Sequence, residues 1–352
     1  MTSFRLMPDP KLFVTQRDLA KKLGLSNATV SLALRDSPRI PEARRLEIQA
    51  LAQKLGYRPN PAAVTLSYNK RSSKNIPIHS SLAFINLWPE PDELHKINLF
   101  DSYWKGATAC AEKFGYRLEE FALAHFSSSR LEKVLSARGI DAILLTTQSY
   151  RHQINFSDFD WDKFCGIRTS RLPVSPALHV VTADQSGNTM VAIDQIRAKG
   201  YKRIGFIAYG RSAGDRIWRF ESGYLTVQEE VPENERLPVY RLDIEDAASR
   251  AGLGTWMKTH RPDALLSLHP QVRELLETLG YKVPDDVGLA TVNTMDCHIE
   301  AGIDQNAAEI GRCAVLQLLS LVYDNDTGIP QTMRETLIKG LWVDGPTLPD
   351  RS

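Results

Sequence analysis

The stretch "GLSNATVSLAL", residues 24–34, places side chains capable of hydrogen bonding where a helix turns away from its core. Drawn as a helix over Asn27–Leu34, it gathers Asn27, Ala28, Ser31 and Leu32 on one side, with Arg35 following. Val30, Ala33 and Leu34 gather on the other. Small polar residues cover a core poorly, but they let a helix come very close to a partner. Their chemistry is recognition. Asn pairs with the edge of adenine, Ala or Leu meets a thymine methyl, and Ser and Thr29 reach bases or phosphates. Nothing in the chain suggests covalent chemistry. There is no GxGxxG, P-loop or HExxH pattern, and the eight histidines lack metal-ligand spacing. No catalytic group, cofactor or metal is expected.

The elements that must hold that face are legible on either side. In "FVTQRDLAKKLG", Thr15 suits the N-cap of a first helix, and Asp18 falls at N3. Val14 and Leu19 occupy the staple positions, and Gly24 suits the left-handed residue past the end. Ser26 caps the second helix. Two short helices joined by "GLS" form a helix-turn-helix. A third helix is expected from Pro41 to Leu55, its Ile48, Leu51, Ala52 and Leu55 forming one apolar stripe that ends at Gly56. An ordinary three-helix bundle with no nucleic-acid partner would show the same pattern.

Charge favours the nucleic-acid reading. The net charge is only +1, but residues 1–75 hold 14 Lys/Arg against 5 Asp/Glu, and the rest of the chain carries the compensating acidic excess. No acidic residue occurs between Ile48 and Pro89. A basic head on an acidic body suits a polyanion. The segment "GYRPNPAAVTLSYNKRSSK" then supplies Asn60 as an N-cap and Pro61 at N1 of a helix reaching Tyr68, followed by Lys70, Arg71 and Lys74. A helix that short is marginal alone and can form on binding, with Leu66 exposed upon it. The competing view is a flexible connector whose Leu66 packs on a neighbour.

From Ser81 the signals alternate. "SLAFINL", "YRLEEFAL", "GIDAILLT", "CGIRT" and "HVVTA" read as strands, with helices at "FDSYWKGATACAEKFG" and "SSRLEKVLSARG". After Asp184 the alternation restarts and runs through "VGLATVN". Such alternation predicts parallel sheets, with ligands bound beyond the carboxyl ends of the strands. At 352 residues, 43% hydrophobic and 24% charged, the chain suits two or three globular domains. Its four cysteines include no CxxC pair and read as reduced thiols of a cytosolic protein. The N-terminus shows no secretory h-region, and no apolar run approaches the roughly 18 residues of a membrane span.

The run from Val14 to Ser67, with "ATVS", "GYRPN" and the Ala63…Leu66 pair, resembles without gaps the headpiece and hinge of the LacI/GalR family of bacterial transcription regulators. "VVTADQSGNTMVAIDQIRAKGYKRIGFIA", "LGYKVPDDVGLATVN" and "AGIDQNAAEIGRCAVLQLL" are similar to that family's periplasmic-binding-protein-like body. The resemblance implies an all-α three-helix helix-turn-helix headpiece at 1–58, a hinge helix and linker at 59–79, and an α/β effector and dimerisation domain of two parallel-sheet lobes at 80–350. The lobes would comprise 80–182 with 304–335, and 183–303 with 336–350, with a third crossing near "LIKGLW". It also implies DNA contacts from Thr15, Gln16, Arg17, Ser26, Asn27, Ala28, Thr29, Ser31, Leu32, Arg35, Asn60, Ala63 and Leu66. Asn27 and Ala28 fall on the two main base-reading positions, and Leu66 on the leucine that wedges into a base step. Leu32 replaces a residue that is often polar or basic, which favours a thymine methyl at its base.

Candidate effector residues stand mostly at strand ends: Trp88, Phe100, Tyr103, Arg168, Asp184, Trp218, Arg219, His269, Asn293 and Gln305. Arg219 resembles the family's effector-clamping arginine ahead of a Gly-aromatic pair, here Gly223 and Tyr224, although Phe220 holds the ungapped position. The Arg fork suits vicinal hydroxyls or a carboxylate, and Trp218 offers a face for a sugar. His269-Pro270 and Asn293 depart from the family's pattern, so no known effector carries over. The expectation is a DNA-binding regulator, in the repressor sense. It would bind a pseudo-palindromic operator as a homodimer in the bacterial cytoplasm, at the nucleoid, under control of a small molecule of carbohydrate type. With no leucine-heptad tail before Ser352, a dimer rather than a tetramer is expected. The alternatives are a solute-binding sensor without DNA function and an enzyme with an appended DNA-binding module.

Overall fold

A computed structural model of the chain describes residues 16–34, 37, 39–55, 80–146, 156, 158–169, 171, 175–210 and 218–352. Its main division falls between Ile76 and Pro77. The hinge helix expected over Pro61–Tyr68, with Asn60, Ala63 and Leu66, lies outside the described residues, as do Thr15, Arg35 and Gly56.

The first unit contains α1 (Gln16–Leu23), α2 (Asn27–Leu34) and α3 (Glu42–Lys54). Leu19, Ala20, Val30, Ala33, Ile48 and Ala52 are buried together, with Leu23, Leu25 and Leu34 packed at the edge. These are the stripes read from the sequence, and all three helices contribute to one core. Gly24 has φ +64°, a region that costs a side-chain-bearing residue energy, and it turns the chain between α1 and α2. Ser26 Oγ accepts the Thr29 N–H at 3.0 Å, which caps α2. One boundary differs from the expectation. Pro41 adopts ψ 139° and stands at the N-cap, so α3 starts one residue later, at Glu42.

The second unit is two α/β lobes, as expected. The first lobe opens with β1 (Ser80–Asn86), α4 (Asp92–Lys96), α5 (Asn98–Lys113), β2 (Tyr116–Ala122) and α6 (Ser128–Ala137). It continues through β3 (Ala142–Leu145), β4 (Cys165–Arg168) and β5 (His179–Ala183). The chain then crosses to α7 (Gln185–Ala198), β6 (Ile204–Tyr209), α8 (Trp218–Gln228), β7 (Tyr240–Leu242) and α9 (Ala247–His260). There follow β8 (Ala264–Ser267), α10 (Val272–Thr278), β9 (Gly288–Thr291) and β10 (Gly302–Asp304). The last elements are α11 (Ala307–Asp324), β11 (Glu335–Ile338) and β12 (Leu341–Val343).

Among the described residues the strands form two six-stranded sheets, in the orders β11-β5-β4-β3-β1-β2 and β12-β10-β9-β8-β6-β7. Every pairing is parallel except β10 with β12. The buried strands read as continuous apolar runs because helices cover both faces. The expected lobe boundary at 335/336 needs adjustment. All of β11 pairs with β5 in the first sheet, Ile338 opposite Ala183, so the third crossing falls at Lys339 and Gly340. The sequence reading also missed α4 and β10. Both are too short to show a period.

Helix α11 returns from the second lobe and lies on α5. Ile310, Ala314, Val315 and Leu318 join Tyr103, Ala107 and Cys110 in one core. Two glycines permit the approach. A Cβ on Gly106 would collide with the Ala308 carbonyl, and one on Gly311 with the Tyr103 carbonyl. Backbone cannot step aside as a side chain can. Alanine normally favours a helix over glycine by about 0.5–1 kcal/mol, whereas overpacking costs about 1–3 kcal/mol. Gly311→Ala should therefore destabilise the body, lowering its Tm by about 2–4 °C per kcal/mol. A thermal melt with an unchanged or higher midpoint would contradict this packing.

Candidate functional sites

On the headpiece, Ser26 and Asn27 are exposed, Ser31 and Leu32 are half-buried, and Leu32 is not among the residues packed on the bundle core. Gln16 opens α1 and Arg17 follows it, while Ala28 lies in the first turn of α2. The Thr29 hydroxyl is engaged with Ser26 Oγ at 2.8 Å, so it serves the cap first. The outward side of α2 thus presents Asn27 at its start and Leu32 one turn on. Gln49 Nε2 donates to the Ala33 carbonyl at 3.0 Å and fixes the far end of α2 to α3.

In the body, the expected effector residues stand at or near the carboxyl ends of parallel strands or at helix starts. Trp88 follows β1. Its ring centroid is 5.9 Å from Phe100, and Phe100 is 5.9 Å from Tyr103, so the three make an aromatic row. The Trp88 indole N–H is buried without a hydrogen-bond partner. Tyr103 is buried in the α5–α11 core, and burial pushes its hydroxyl pKa well up. Arg168 closes β4 at 7% exposure, and burial lowers its pKa to about 10. His269, past β8, is buried with its ring 5.0 Å from Tyr209. Burial lowers its pKa, and Nδ1 accepts the Gln271 N–H at 3.3 Å, which assigns the proton to Nε2. Trp218 is exposed, and the Arg219 guanidinium lies 5.2 Å from its ring centroid.

Three expected residues are committed to the scaffold. Asp184 accepts the Gly187 N–H at 3.1 Å and caps α7. Gln305 Nε2 donates to the Val292 carbonyl at 2.8 Å. Asn293 accepts the Met295 N–H at 3.2 Å and donates to Asp296 Oδ2 at 3.3 Å. Arg168 is engaged as well, its Nη1 donating to the Pro176 carbonyl at 3.4 Å. Among the described residues no group of three His, Cys, Asp or Glu side chains could hold a metal ion.

The sequence reading did not single out Asp296. Helix α5 begins after Ile97, whose side chain provides no cap. Its first amides instead donate across the cleft: Asn98 N–H to Asp296 Oδ1 at 2.7 Å and Leu99 N–H to Oδ2 at 3.1 Å. Asn98 Nδ2 adds a bond to the Met295 carbonyl at 3.2 Å. A carboxylate at a helix N-terminus satisfies unpaired donors and opposes the helix dipole. Nothing local in "TMDCH" reveals that partner, because it lies 198 positions away. Asp296→Ala should speed amide exchange at Asn98 and Leu99 by roughly tenfold or more, the scale of a charge-assisted bond worth about 1.5 kcal/mol. Protection equal to wild type would refute the interlobe cap.

A second unanticipated cluster lies beside α5. His95 Nδ1 meets Asp101 Oδ1 at 3.0 Å and Nε2 meets Glu120 Oε2 at 3.0 Å, so both ring nitrogens face carboxylates. Burial alone would lower the His95 pKa, but the bonds and charges of Asp101 and Glu120 outweigh it and raise the value. Folding therefore gains from the imidazolium. The gain is complete below the unfolded value near ~6.5 and is lost as pH rises through the higher folded value. The wild-type Tm should fall across that window by more than that of His95→Gln. Parallel pH profiles would exclude this contribution.

Comparison with known proteins follows this geometry. Residues 15–60 match the family model "Bacterial regulatory proteins, lacI family", and residues 193–341 match "Periplasmic binding protein-like domain". The HTH-type transcriptional regulator MalR of Streptococcus pneumoniae is 21% identical over 321 residues, covering 89% of this chain and 94% of MalR. The HTH-type transcriptional repressor CytR of Escherichia coli is 22% identical over 348 residues, covering 93% and 95%. A structure described as a "transcriptional regulator CelR-cellobiose complex" has a TM-score of 0.54 at 17% identity, covering 95% of this chain and 99% of that one. The lac repressor dimer bound to operator and the anti-inducer ONPF gives 0.52 at 15% identity, covering 96% and 99%. These structural likenesses establish the fold.

Proposed function

We propose, from the premise that this chain belongs to the lacI family of bacterial regulatory proteins, that it is an effector-controlled repressor. Membership makes it a DNA-binding transcriptional regulator rather than an enzyme. The finer reading is a homodimer on a pseudo-palindromic operator, acting in the cytoplasm at the nucleoid. Its effector would be a small sugar or sugar derivative held between the lobes.

One observation carries this reading: a capped α2 with Asn27 exposed at its start, in the same chain as a two-lobed body with an aromatic row near a strand end. In the major groove, Asn27 would reach an adenine edge, and Ala28 and Leu32 a thymine methyl. Gln16, Arg17 and Ser26 would meet the backbone, joined by Thr15 and Arg35. Asn60 and Ala63 would support the hinge, and Leu66 would wedge into the minor groove. Two-fold symmetry would double each contact. Effector binding would shift the populations of lobe arrangements that hold the two headpieces at or away from operator spacing. The printed names of relatives support the finer terms. CytR is a repressor, CelR is seen with cellobiose, and the lac repressor is a dimer on its operator. A solute sensor without DNA function leaves the basic head and the α2 face unused.

The test is selection of operator sequences followed by mobility shift at stated salt, since phosphate contacts make affinity steeply salt-dependent. A pseudo-palindromic consensus should emerge. Leu66→Ala should weaken specific binding by about tenfold or more with the circular dichroism unchanged, since a wedge is coupled to a few kcal/mol of unstacking. Failure to select any DNA would overturn the reading, and equal operator affinity for Leu66→Ala would remove the wedge.

A further inference from the structure

We propose that His95 is a proton-operated clamp on the contact between the lobes. With both ring nitrogens protonated it ties α4 to the opening turn of α5. Loss of one proton frees that turn and loosens its bonds to Asp296. The clamp acts in the free protein, whatever molecule the cleft takes.

Three elements meet on one imidazole. His95 belongs to α4, Asp101 to the first turn of α5 and Glu120 to β2. Nδ1 stands 3.0 Å from Asp101 Oδ1, and Nε2 stands 3.0 Å from Glu120 Oε2. An ionised carboxylate only accepts, so each contact needs an N–H from the ring. Neutral imidazole has one N–H and the imidazolium has two. Both bonds therefore exist only in the cation. The neutral ring must turn a lone pair on one of the two carboxylates.

The surrounding charges decide which bond is lost. Asp101 Oδ2 already holds Lys105 Nζ at 2.6 Å, one turn along α5. Glu120 Oε1 accepts Asn86 Nδ2 from β1 at 2.7 Å, and among the described residues no lysine or arginine pairs with it. On α4 itself, Lys96 is paired with Glu93 at 2.6 Å. Trp104 of α5 packs with its ring centroid 5.9 Å from that of His95 and brings no charge. The neutral ring therefore keeps its proton on Nε2, toward the carboxylate that has no other cation. Bare Nδ1 then faces Asp101, and the link between α4 and α5 opens.

That link lies three residues from the interlobe contact. The Asn98 and Leu99 amides donate to Asp296, and the Asp101 amide donates to the Ile97 carbonyl in the same turn. Leu94 is buried in the core, so α4 itself stays in place and the change is confined to Ile97–Asp101. Burial works against the cation, but the bonds and charges of Asp101 and Glu120 outweigh it. The proton is thus held past the ordinary value of about 6.5, and the clamp opens on the alkaline side of it.

The test uses the full-length protein without ligand. The ring C–H resonances of His95, assigned by their loss in His95→Gln, locate its titration. Across it, the hydrogen-exchange protection factors of Asn98 and Leu99 should fall by about threefold to tenfold, the scale of one hydrogen bond. Those of Ile204–Tyr209 in the second lobe should hold. An asparagine can accept through its oxygen or donate through its nitrogen, so Asp101→Asn should flatten the response. Glu120→Gln removes a charge that favours the cation and should move the transition to lower pH. Constant protection at Asn98 and Leu99 through the His95 titration would overturn the clamp. An equal fall in His95→Gln would do the same, as would a fall that extends equally to Ile204–Tyr209. Circular dichroism checks the variants, and if one fails to fold the wild-type titration still decides.

Discussion

The N-terminus of α5 is the constraint on which the arrangement of the body turns. A helix that begins after isoleucine has amide donors and no side chain of its own to accept them. Those donors must find water or a foreign acceptor, and here the acceptor is Asp296 on the opposite lobe. The same helix carries Phe100 and Tyr103 of the aromatic row and presses its glycine face on α11. One helix therefore lines the cleft, anchors the core and receives the interlobe contact. A displacement of the second lobe is felt first at its opening turn.

The headpiece depends on a different economy of space. Its core is a few aliphatic side chains drawn from three helices, and the turn between α1 and α2 is set by Gly24 and Ser26. Nothing large projects from the start of α2. Thr29 illustrates how tightly the short helix is used. Its hydroxyl completes the cap with Ser26, while Asn27 stays exposed beside it and Leu32 is half-buried one turn on.

Periodicity and caps made the headpiece helices and most of the strand-helix alternation legible, because those signals are local. Val30, Ala33 and Ile48 occupy the core that their spacing predicted. What escaped was short or distant. Helix α4 and strand β10 are too brief for a period to register. Asp296 acts on a residue 198 positions away. In the cleft, position at a strand end was readable, but the use made of each side chain was not. Asp184 and Gln305 stand where ligand groups would be expected, yet they bond to the chain itself. A polar residue at a strand end has two possible employers, and only the surrounding backbone decides between them.

The crossings between the lobes show how such a body can move. At the first, the Asp184 N–H donates to the Ile338 carbonyl at 2.8 Å. At the second, Gln305 ties its own strand exit to Val292. At the third, the Gly340 N–H donates to Asn188 Oδ1 at 2.8 Å, joining the last crossing to the helix that begins at the first. The first and third crossings are thus braced to one another, and the second is braced within its own lobe. The contacts that distinguish open from closed are those that span the cleft. In this structure the Asp296 carboxylate on the first amides of α5 is such a contact.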